Sequence, residues 1–116
     1  MKKIIFAILI SFIATNLSFA KEINGLAKQA HFLAQNLISL SQAQTDTTCT
    51  YELVLASGMA ENAGREISNK EFRKAVKALH NSLKSVNYTI SLDCEKKEEI
   101  NIEKMNLVSL MYEIAS

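Results

Sequence analysis

No proline occurs in these 116 residues, and glycine occurs only at positions 25, 58 and 64. An all-β domain needs such residues at its turns, whereas long helices exclude proline and gain nothing from glycine. The pattern therefore predicts an all-α chain. No repeat, low-complexity tract or interdomain linker divides it, and its length suits one domain better than two.

The first twenty residues have a different character from the rest. Lys2 and Lys3 precede a mostly apolar run, Ile4–Ala14, and Ser18-Phe19-Ala20 puts small residues at both positions that a signal peptidase reads. Residues 1–20 are read as a signal peptide cleaved after Ala20, leaving a helical domain at 21–116. A membrane span takes about 20 mostly apolar residues, and Thr15, Asn16 and Ser18 interrupt this run well before that, so no stable membrane span is expected after cleavage. No cysteine near the cleavage point is available for a lipid anchor. Loss of Lys2 and Lys3 leaves 11 basic against 12 acidic residues, a near-neutral chain with no overall attraction to nucleic acid. The expected compartment is the periplasm, or the medium if the chain is secreted.

Hydrophobic spacing places four helices at about 26–43, 49–63, 69–87 and 99–115. In the first, Ile23, Leu26, Ala30, Leu33, Leu37 and Leu40 recur at steps of three and four, with Ala27 and Ala34 beside them. Gly25 predicts fraying ahead of it, and Phe32 falls on the far side of the seam. The polar connection Gln44–Thr48 is rich in capping residues. The second helix sets Ala56, Ala60 and Ala63 on one face with Leu53, small side chains that let a neighbour approach. Glu52 is expected in its first turn and Gly64 as its C-terminal cap. In the third, Ser68 and Glu71 have capping-box spacing, Ile67 and Phe72 are placed for a hydrophobic staple, and Phe72, Val76, Leu79, Leu83 and Val86 form the apolar stripe. Between Val86 and Leu92 a two-residue alternation competes with the helical one, so the segment reads as strand or as irregular chain after Asn87. The fourth helix carries the row Ile100, Leu107, Met111, Ile114 and, beside it, Met105, Val108 and Tyr112.

Cys49 and Cys94, the only cysteines in a chain read as exported, predict one intrachain disulfide. With the expected helix lengths, an antiparallel third helix overshoots Cys49 by about 12 Å at 1.5 Å per residue. A disulfide requires Cα atoms within about 7 Å, so the third helix has to end, bend or turn back between Val86 and Asp93. A thioredoxin-like redox site is not indicated, because C-x-x-C spacing is missing.

Catalytic and metal patterns are sparse. His31 and His80 stand alone, each beside an apolar stripe where a hydrogen-bonded, partly buried histidine is the expected state, and neither belongs to an H-E-x-x-H motif. Ser57-Gly58 lies mid-helix without a nucleophile elbow. No phosphate loop is present, and no cofactor, metal or enzymatic activity is predicted. The acidic run Asp93, Glu95, Glu98, Glu99 and Glu103 reads as a solvated turn. Lys70, Arg73, Lys74, Lys77 and Lys84 make a basic stripe opposite the apolar face of the third helix. With Phe32 they are the candidate partner-binding residues, although a solvated charged face explains the stripe as well. Taken together, the sequence predicts a single-domain bundle of about four helices closed by one disulfide, acting as a non-catalytic protein-binding domain such as an inhibitor or immunity protein. Alternatives are an accessory subunit of an envelope secretion or conjugation apparatus and a periplasmic stress chaperone. Another protein is the expected partner, nucleic acid is not, and self-association stays open.

Overall fold

The computed structural model describes the backbone of residues 2–115 and the side chains of residues 22–115. Four helices occur among them, α1 (Lys2–Gln42), α2 (Thr47–Ser68), α3 (Phe72–Ser91) and α4 (Lys97–Ala115), with no strand. Each packs on its neighbours in sequence and α4 closes against α1, leaving α1 and α3 diagonal to each other. Ser57 meets Ala34 while Gly64 meets Ala27 and His31, and Ala56 meets Ser82 while Cys49 meets Cys94, so α1 and α2, and likewise α2 and α3, are antiparallel. This is an up-down-up-down four-helix bundle with short loops.

Small residues hold the first three helices together. Ala30, Ala56, Ala60, Ala63 and Ala75 are fully buried alongside Leu37, Leu53, Ile67, Leu79 and Val86. Where helices come this close, buried hydroxyls reach backbone carbonyls across the interface. Ser57 Oγ donates to the Ala34 carbonyl at 2.7 Å and Ser82 Oγ to that of Ala56 at 2.8 Å, which satisfies both polar groups without water. Gly64 belongs to the same packing. It lies inside α2, and a Cβ there would stand 3.1 Å from His31 Cε1 on α1. The expected C-terminal cap at Gly64 is thus corrected: the residue is glycine for close approach.

The real turn comes later. Lys70, at φ 61°, takes the left-handed conformation, its N–H bonds the Ile67 carbonyl, and the Glu71 N–H bonds that of Glu66. Those two bonds make a Schellman motif. Ser68 is therefore the last residue of α2 and not an N-cap; Glu71 caps α3 with no side-chain bond, its carboxylate instead meeting Lys74 Nζ at 2.8 Å. The same device ends α3, where Asp93 has φ 58° and the Asp93 and Cys94 N–H groups bond the carbonyls of Ile90 and Thr89. All three glycines lie in helices without positive φ, while Lys70, Asp93 and Lys96 take the left-handed positions.

Relocating the first turn removes the expected mismatch. Helices α2 and α3 have 22 and 20 residues and match in length. Segment 87–91 is regular helix, contrary to the irregular or strand-like reading, and the chain turns back at Asp93. Cys49 and Cys94 then form the disulfide with Cα atoms 5.8 Å apart. Three further boundaries differ. Asp46 caps α2 by accepting from the Thr48 and Cys49 N–H groups, so the helix starts at Thr47 and Glu52 lies beyond its first turn. Gly25 is helical, not frayed, with Ile23 and Leu26 buried on either side of it. Helix α4 starts at Lys97, the Lys96 carbonyl accepting from Ile100.

A polar clasp adjoins the disulfide. The Gln44 side chain, in the first loop, donates to the Glu95 carbonyl at 2.8 Å and accepts from the Glu95 N–H at 2.9 Å. It pairs with the third loop as a neighbouring strand would. Among the described residues, no helix is long and apolar enough to cross a membrane.

Candidate functional site

The candidate residues named from sequence fall on separate parts of the bundle. Cys49 and Cys94 are buried at one end, 4% and 5% exposed. Arg73, Lys74, Lys77 and Lys84 are exposed on α3, whereas Lys70 sits in the preceding turn. At 100° per residue, Arg73, Lys77, His80 and Lys84 line up opposite the buried face. His80 is thus fully on the solvent side, not beside the core as expected. Lys74 is hydrogen-bonded by the Glu71 carboxylate, whose bond and charge hold its pKa above the ordinary 10.5. Phe32, 62% exposed, belongs to α1, which lies across the bundle from α3. The fold does not bring Phe32 and the basic stripe together. His31 Nδ1 lies 2.9 Å from Glu61 Oε1, a local partner on α2.

What Phe32 does adjoin is a carboxylate. Residues 29, 32, 33 and 36 are one face of α1, and 103, 106 and 109 one face of α4; the two faces form the walls of a cleft of about 280 Å3. Glu103 stands in that cleft only 7% exposed, which corrects its expected place in a solvated acidic turn. Helix α4 is rotated from the expected rows: Glu103 and Leu110 turn inward with Ile100 and Leu107, while Met105 and Tyr112 are 70% and 74% exposed. Asn36 Nδ2 donates to Glu103 Oε1 at 3.0 Å. Oε2, closed to solvent, has no hydrogen-bond partner among the described residues. Burial raises the Glu103 pKa above the ordinary 4.5, against a smaller downward pull from the Asn106 and Asn36 carboxamides. A trace of this was present in the sequence, since the row Ile100–Leu107 skips a turn and Glu103 fills the gap.

The sign of the resulting linkage is fixed. A carboxyl whose folded pKa lies above its unfolded one stabilises the fold most below the unfolded value, and that contribution is lost as pH rises through the folded value. Glu103→Gln keeps the shape and removes the buried charge. The variant is expected to exceed the parent by about 1 kcal/mol at neutral pH, and the gap should close on acidification toward pH 4. Urea titrations at several pH values measure this; a gap independent of pH would contradict it.

Comparison of the chain with protein-family models, with curated proteins and with solved structures finds no match to any of them. The fold and the cleft define a disulfide-closed helical bundle carrying a buried carboxylate between its first and last helices.

Proposed function

We propose that this chain is an exported, non-catalytic protein-binding domain, active in the periplasm or the medium, which occludes a partner's surface as an inhibitor or immunity protein does. The observation that carries this reading is where the aromatic side chains lie. Of the five described, Phe32, Tyr51, Tyr88 and Tyr112 are 62%, 63%, 48% and 74% exposed, Phe72 is half-buried, and none is in the core. Aromatic residues carry much of the binding energy at protein interfaces. A core of alanine and aliphatic residues leaves them on the outside, where they are available to a partner. Tyr112 also borders an apolar groove formed with Val76, Leu83 and Met111. A scaffold stapled at one end and clasped across its loops loses little freedom on binding, which favours affinity. The signal-like segment and the disulfide support export.

Expression of the full chain with a C-terminal tag in a Gram-negative host tests both parts. Intact mass should place the new N-terminus at Lys21 and show no free thiol. Affinity recovery from the native envelope extract at physiological salt should yield one specific soluble partner, lost when Tyr51 and Tyr88 are replaced by alanine without loss of helicity. Recovery of no specific partner would count against the reading. Co-purification with a large membrane assembly would instead favour the accessory-subunit alternative. A stress-chaperone role draws support from the ten large apolar side chains exposed across all four described helices and their ends. It requires suppression of client aggregation after acidification.

A further inference from the structure

The unpartnered carboxylate oxygen between α1 and α4 needs explaining. A buried polar atom without a hydrogen bond costs about 1–3 kcal/mol, and a small bundle has many ways to avoid one, such as a leucine at position 103. Helix α4 instead puts a carboxylate between Ile100 and Leu107, inside a cleft open to solvent. The surrounding side chains match one chemistry. Gln29, Asn36 and Asn106 are carboxamides, Ser109 is a hydroxyl, and none carries charge. Among the described residues no lysine or arginine lines the cleft, so the negative charge has no counter-ion from them there. The Phe32 ring stands at the mouth, 62% exposed. A carboxylate at the base, an aromatic ring at the rim and uncharged polar side chains between them are the elements that recognise an organic cation.

We propose that the α1–α4 cleft is a binding site for a primary ammonium or guanidinium group carried on a short carbon stem, with the Glu103 carboxylate as its counter-ion and Phe32 packing on the stem. The cation supplies the positive charge that the lining of the cleft lacks. One carboxylate among neutral groups suits a single ammonium or guanidinium group better than a divalent metal, which requires several oxygen ligands. Among the described residues, no group of three or more His, Cys, Asp or Glu side chains is arranged to hold a metal. The same chemistry comes from two sources, a free amine or a lysine or arginine side chain of another protein, and the site itself does not depend on the protein-binding reading.

Titration of the oxidised full chain with agmatine, followed by NMR, is the test. Saturable shifts are expected at Phe32, Asn36 and Asn106, with dissociation in the millimolar range that one small charged group usually provides, about 1 mM. Glu103→Gln should weaken binding at least about tenfold while keeping the fold, and Phe32→Ala should weaken it less. Pentanol, which has a similar stem and no charge, should not bind. Because the cation favours ionised Glu103, agmatine affinity should rise with pH across the range in which that carboxyl titrates. An acetylated, amidated tripeptide with a central arginine separates the sources: tighter binding than agmatine assigns the cleft to a partner's side chain, and weaker binding assigns it to a free amine. Absence of saturable shifts, or equal affinity in Glu103→Gln, would overturn the proposal whatever becomes of the search for a protein partner.

Discussion

Replacement of both Cys49 and Cys94 by alanine is expected to cost the domain about 4 kcal/mol, the chain-entropy value for a loop of this length. For a domain of this size that corresponds to a fall in Tm of roughly 15–30 °C. The bond joins residues 45 apart, linking the first turn of α2 to the residue just after the Asp93 turn. It thereby restrains the unfolded chain across two of the four helices. Alanine is the right replacement because both side chains are buried, and a serine hydroxyl would add an unpaired polar group to the comparison. Thermal unfolding by circular dichroism, on the variant and on the reduced parent, should give the same loss. A fall below about 1 kcal/mol would mean that residual structure already keeps residues 49 and 94 close together in the unfolded chain.

The second large effect contrasts two leucines two residues apart on α2. Leu53 is fully buried and Leu55 is 37% exposed. Leu53→Ala removes three carbons from a closely packed alanine-rich interface that has little room to relax, and is expected to destabilise by about 3 kcal/mol. Leu55→Ala is expected to stay below about 1 kcal/mol. Urea unfolding of the two variants measures the difference, and similar midpoints would show that α2 is not oriented as described. Leu55 shares the outward face of α2 with Tyr51 and Val54, so its substitution should matter more for partner binding than for stability.

Much of the architecture was legible from local pattern. Leucine and alanine spacing in α1 picked out the buried Ile23, Leu26, Ala30, Leu33 and Leu37, and the alanine face of α2 was recognised as a surface of close approach. The cysteine pair and its requirement for a turn before Cys94 were also recoverable, because disulfide geometry is a distance constraint that chain length alone can test. The misreadings came from punctuation. Gly64 looks like a cap and Ser68–Glu71 looks like a capping box, but a Schellman turn formed on Lys70 wins. That turn lets α2 continue through Gly64, burying it against His31, and Ile67. One misplaced turn then produced the spurious mismatch in helix length.

The candidate site was less legible, for a different reason. Basic residues on α3 announce themselves in sequence because charge repeats with the helix period, but the period says nothing about what lies across the bundle. Phe32 reads as an isolated exposed ring, and Glu103 as one more member of an acidic run. Their shared cleft exists only because α4 closes on α1 with a rotation that sends Met105 and Tyr112 outward and Glu103 inward. Sequence by itself determined that this chain is helical and closed by one disulfide, because proline content, hydrophobic period and cysteine count act locally or through chain length. Tertiary structure alone decided which polar group is buried without a partner, since that depends on the rotation of one helix against another distant in sequence.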